Sequence, residues 1–149
     1  MHDLEIAKKG IYEKGLTLSI VKDGKVIFGT FSHGISGFLE AVEKLGDKLK
    51  GTFVADRVVG KAVALLCVYG KVKAIYAVTL SKKAKAVLEE NSVYQEWNDL
   101  VENILDTNRA EICPFEKLAT EISNPNEAYK RFKALQSSLQ HGTRKQMVD

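Results

Sequence analysis

The sequence predicts an α/β sandwich, a mixed sheet held between helical layers. Three observations carry that reading. An Asp-Gly pair, Asp23-Gly24, sits between two short alternating segments and marks an antiparallel hairpin. Residues 54–69 are apolar nearly all round, as in a helix buried on every side. Residues 72–78 are apolar on both faces apart from Lys73, as in a strand covered above and below.

The elements follow in order. Leu4, Ala7, Ile11 and Tyr12 recur at helical spacing over 2–14, and Gly15 stops that helix. Residues 16–21 alternate Leu16, Leu18 and Ile20 with Thr17 and Ser19, and 26–30 form the return strand. A loop from Ser32 to Gly37, with His33 in it, leads to an amphipathic helix over 38–45, ended by Gly46. Residues 49–54 read as a connector. Asp56 then reads as the N-cap of the buried helix, with Gly70 as its stop. The 72–78 strand follows, and Ser81 caps a helix over 82–90. Residues 93–97 read as a short edge strand and 99–105 as a helix. A loop spans 106–111, and Cys113-Pro114 opens a helix through Ile122. The last helix, over 126–139, is amphipathic through Ala128, Phe132, Leu135 and Leu139. One domain, 1–139, and a polar, frayed tail, 140–149, make up the chain.

Composition narrows the function classes. The chain has 149 residues, is 45% hydrophobic and 28% charged, and carries a net charge of +3. That excess does not call for a nucleic-acid partner, because its lysines lie along helical faces. The longest apolar run, 58–69, is broken by Gly60 and Lys61 and is too short to span a bilayer. The N-terminus lacks the basic start and apolar core of a signal peptide. Cys67 and Cys113, without a CxxC pattern, fit a reducing cytoplasm. A cytoplasmic protein is therefore expected.

Three stretches carry a resemblance: Asp56-Arg57-Val58-Val59-Gly60-Lys61-Ala62, Tyr76-Ala77-Val78-Thr79-Leu80-Ser81-Lys82-Lys83-Ala84 and Ile112-Cys113-Pro114-Phe115-Glu116-Lys117-Leu118. Over residues 16–121 the chain resembles an uncharacterised prokaryotic family with a cytidine-deaminase-like fold. The resemblance implies a three-layer α/β/α sandwich with a mixed sheet, a fold often assembled as dimers or tetramers, and it brings no established activity to carry over. Zinc deaminases of that fold set a His-or-Cys, x, Glu motif at one buried helix start and Pro-Cys-x-x-Cys at the next. Here the corresponding positions read Ala55-Asp56-Arg57-Val58 and Leu80-Ser81-Lys82-Lys83-Ala84. The ligands that a catalytic zinc needs are missing from both, so no metal and no cofactor is expected.

Two helix starts remain, each with free N–H groups and a positive dipole end, and two such ends at one sheet edge suit an anion. The expected occupant is a small polar or anionic ligand, nucleotide-like by the fold's analogy, bound by Arg57, Ser81, Lys82 and His33. Asp56, Lys61 and Ser81 are expected to line one pocket. Plain readings stand beside these: Asp56 and Ser81 as caps, Lys82 as a solvated lysine, Arg57 as a tether and Lys61 as a lysine snorkelling outward. The rival is a metal-independent enzyme with Cys113 as nucleophile, or Asp56 and Lys61 as an acid–base pair. Cys113 would gain thiolate character at a helix start, with His33 as base, or else lie inert under a loop.

Overall fold

The computed structural model describes residues 2–105 and 113–148, from 141 on by the backbone alone. The expected loop over 106–111 lies outside the described residues. The chain runs α1 (His2–Lys14), β1 (Leu18–Lys22), β2 (Lys25–Thr30), α2 (Ile35–Leu45), a 3₁₀ turn (Gly46–Leu49), β3 (Phe53–Val59), α3 (Lys61–Tyr69), β4 (Ala74–Ser81), α4 (Lys82–Glu90), β5 (Tyr94–Val101), α5 (Pro114–Ala119) and α6 (Pro125–Val148).

The strands form one mixed sheet in the order β2-β1-β3-β4-β5. β1 is antiparallel to β2 and β3, while β3, β4 and β5 are parallel. The β1–β2 turn forms as the sequence predicts. Asp23 and Gly24 both have positive φ, 51° and 77°, the backbone that a two-residue hairpin needs. Side chains then alternate across the sheet. Val21, Ala55, Ala74 and Tyr76 meet Leu4, Ala7 and Ile11 of α1 on one face. Ile20, Val54 and Ile75 meet the other helices on the opposite face, around Phe38, Leu66 and Phe132. Full burial of each of the Val, Leu, Ile and Phe side chains contributes about 1.5–3 kcal/mol. α1 lies so close over β1 that a Cβ on Gly10 would stand 2.6 Å from Ser19 Oγ.

Two expected elements are corrected. The helix expected from Asp56 begins instead as strand β3, and α3 starts only at Lys61. A short apolar run reads alike as buried helix and buried strand, and the β-branched Val54, Val58 and Val59 favour the strand once β1 and β4 flank it. The helix expected over 99–105 is likewise absent, since 99–101 extend β5 along β4 in register from Ala74↔Tyr94 to Ser81↔Val101. There the pairing overrides local spacing. The other differences are of boundary. β4 lies later than 72–78, α2 begins earlier, and α6 continues to Val148 through the segment expected to fray.

Candidate functional site

α3 begins without a cap of its own. Gly60, the N-cap residue, has an extended backbone and no side chain to accept the first N–H groups. Glu116 of α5 accepts them instead. Lys61 N donates to its Oε2 at 3.0 Å and Ala62 N to its Oε1 at 2.8 Å. The fit leaves no room for another residue at 60, because a Cβ there would lie 2.2 Å from Glu116 Oε1. Burial pushes the Glu116 carboxyl upward from its ordinary value, opposed by those two N–H bonds and by the charges of Lys83 and Lys61. The anion position at the start of α3 is thus filled by the protein's own carboxylate. Glu116 is the residue that sequence reading missed. Three residues after Cys113, it reads as a local helix-start acid, and nothing in its own stretch says that it reaches α3.

Beside this latch lies a cleft of about 400 Å³ between α3, α4 and the α5–α6 connection. Lys61 and Lys83 line it, with Glu90, Thr120 and Ser123 among the polar groups and Leu65 and Val87 among the apolar ones. Neither lysine forms an ion pair among the described residues. The Thr120 hydroxyl donates to Lys117 O at 2.6 Å, within its own turn.

The other residues singled out from the sequence lie elsewhere. Asp56 is no N-cap. It stands within β3, buried on the α3 side of the sheet, where its Oδ1 accepts from Val58 N at 3.4 Å. Burial pushes its carboxyl up to about 7 against the pull of backbone N–H bonds from Val58 and Arg57. The Cys67 thiol in α3 is also raised, by burial first and then by the Asp56 charge. Arg57 points to the α1 face and acts as a tether, donating through Nε to Leu16 O at 3.0 Å and through Nη2 to Ile11 O at 3.1 Å. Ser81 is buried and caps α4, its Oγ accepting from Ala84 N at 3.1 Å. Lys82 is exposed and ion-paired with Glu102. His33 is exposed in the β2–α2 connection, after the strand at the edge opposite β5. Cys113 is half-buried at the start of the six-residue α5, its backbone N–H bonded to Ile104 O at 3.2 Å and its side chain making no cap bond. Of the three residues expected to line one pocket, Lys61 alone lines the cleft.

The zinc-deaminase comparison shifts with α3. The residues at its start are Gly60-Lys61-Ala62-Val63, and those at the start of α4 are Ser81-Lys82-Lys83-Ala84. Neither stretch holds a residue of a zinc-ligating type. Among the described residues no three His, Cys, Asp or Glu side chains converge as a metal group would require, and no helix is long and apolar enough to cross a membrane.

A family model described as a domain of unknown function, DUF1893, matches residues 6–135, and the chain belongs to that family. A solved DUF1893 family protein from Thermotoga maritima is 29% identical, with a TM-score of 0.80 over 89% of this chain and 88% of that one. A diaminohydroxyphosphoribosylaminopyrimidine deaminase/5-amino-6-(5-phosphoribosylamino)uracil reductase from the same organism is 19% identical, with a TM-score of 0.41 over 80% of this chain and 39% of that one. No curated protein matches significantly.

Proposed function

We propose that this member of the DUF1893 family binds a small anionic ligand, such as one bearing a phosphate, in the cleft between α3 and α4. One observation carries the reading: Lys61 and Lys83 face the same cleft and neither has an ion-pair partner among the described residues. Two ammonium groups sharing a concave site attract an anion, and charge-assisted hydrogen bonds to each are about twice as strong as neutral ones. Leu65 and Val87 supply an apolar wall for the rest of the ligand. The site is thus not the pair of open helix starts expected from the sequence. Glu116 and Ser81 close those starts, and the lysines beside them hold the charge.

The scaffold we propose is the three-layer sandwich that the resemblance implies, with α1 as one layer and α2 to α6 as the other. The metal-independent enzyme is the weaker reading. Asp56 lies in the core and Lys61 in the cleft, apart from one another as an acid–base pair would not be. Cys113, the alternative nucleophile, stands at the start of α5 and does not line the cleft.

Thermal denaturation with inorganic phosphate, adenosine monophosphate and citrate tests the proposal. At least one of these probes should raise the melting temperature. Removing a cleft lysine, as Lys61→Ala or Lys83→Ala, should weaken its binding about tenfold, or ~1.4 kcal/mol. A shift that persists unchanged in the double variant would overturn the proposal, as would no shift with any probe.

A further inference from the structure

Helix α4 carries its charges against its own dipole. Lys82 and Lys83 stand at its start, the positive end, and Glu89 and Glu90 at its close, the negative end. Each placement costs helix stability, and proteins break such local rules chiefly at functional sites. Two of the four charges are met by neighbours, Lys82 by Glu102 and Glu89 by Lys85. The other two, Lys83 and Glu90, form no ion pair among the described residues, and both line the cleft between α3 and α4.

Those two residues mark opposite ends of the cleft. Lys83, Ala86, Val87 and Glu90 all line it, at the i, i+3, i+4, i+7 spacing of one helical face. The cleft therefore runs along α4, with Lys83 and Glu90 about 10 Å apart on the helix axis. α3 and α4 follow the parallel strands β3 and β4, so both helices start at the same end. Lys61, the first residue of α3, joins Lys83 there. Asn91, the C-cap of α4, joins Glu90 at the other end. Its amide donates to Val87 O at 2.8 Å, which leaves its side-chain oxygen as an acceptor. Leu65, Ala86 and Val87 lie between. The lining passes from cationic through apolar to anionic.

We propose, resting on the anion site above, that the ligand of this cleft is bipolar: a small molecule with an anionic group at one end, a protonated amine at the other and a short apolar spacer between. The anion meets Lys61 and Lys83, and the amine donates to the Glu90 carboxylate and the Asn91 side-chain oxygen. Such a ligand neutralises both charges that α4 holds against its dipole. A plain anion meets only the first and leaves Glu90 without a partner.

Calorimetric titration of the full chain with two probes tests this, hexyl phosphate and ω-aminohexyl phosphate, which differ only in the terminal amine. The wild type should bind the amine-bearing phosphate about fivefold more tightly, the size of one exposed ion pair. An apolar far wall alone would favour hexyl phosphate, so the sign itself discriminates. Glu90→Gln should lose the preference and bind the two probes alike. The same variant, freed of a charge opposed to the dipole, should melt about 1–4 °C higher than wild type without ligand. Both probes binding the wild type equally would overturn the bipolar ligand and leave the anion site standing, whereas no binding of either would overturn both. A preference for the amine that survives in Glu90→Gln, or a melting temperature lowered by that substitution, would also overturn the role given to Glu90.

Discussion

Asp56→Asn isolates the electrostatic cost of one buried carboxyl. In the unfolded chain Asp56 titrates near its ordinary value of 3.8, and in the fold near 7. Between those values the unfolded chain has lost the proton and the folded chain still holds it. The unfolded state therefore binds fewer protons, and stability falls as pH rises from about 4 to about 7, then levels. A difference of about three units at ~1.4 kcal/mol each gives a loss of about 4 kcal/mol across that window. Asparagine has no proton to lose, so its contribution is flat. Its amide brings two N–H groups to a site whose neighbours are largely apolar, at a cost of about 1–3 kcal/mol. The net expectation is a variant less stable than wild type near pH 4.5 and more stable, by about 1–3 kcal/mol, near pH 8. Urea denaturation at several pH values measures this. Taking the difference between the two proteins removes the slopes of the other carboxylates, Glu116 included. Parallel curves for wild type and variant would refute the reasoning, because Asp56 would then titrate alike in both states.

Other perturbations have equally definite outcomes. Glu116→Ala leaves the Lys61 and Ala62 N–H groups without their acceptor and should cost about 1–3 kcal/mol in urea denaturation. Gly60→Ala should cost a similar amount through its clash with Glu116, and the double variant should cost less than the sum of the two. Arg57→Ala strips Ile11 O and Leu16 O of their donor, so hydrogen exchange should quicken at the C-terminal end of α1 more than at its start. Iodoacetamide should label Cys113 in the native protein and reach Cys67, wholly buried with its thiol raised, only on unfolding.

What the sequence showed, and what it hid, has a physical pattern. Local chemistry was legible. Asp23-Gly24 can make only a narrow set of turns, and Ser81 before 82–90 is a cap by its type and place. The hydrophobic face of α6 was read from Ala128, Phe132, Leu135 and Leu139, and its first half, Ala128 and Phe132, is buried while Leu139 is exposed. Identity between helix and strand was not legible where both would be buried. Val54 to Val59 lie in a sheet because β1 and β4 stand on either side, and 99–101 follow β4 for the same reason. The site was legible only at Lys61. Asp56 was expected at a helix start, and moving that start to Lys61 put Asp56 into the core. Glu116 and Lys83 join the site through contacts across more than twenty residues of chain, between α5 and α3 and between α4 and α3. No local pattern encodes such contacts.

The most direct test of the anion cleft is a backbone amide chemical-shift titration of the protein with inorganic phosphate and with adenosine monophosphate. The account predicts saturable shifts centred on Lys61, Lys83, Thr120 and Ser123, lost in the Lys61→Ala/Lys83→Ala variant. Shifts centred elsewhere on the molecule, or none at all with either probe, would contradict it.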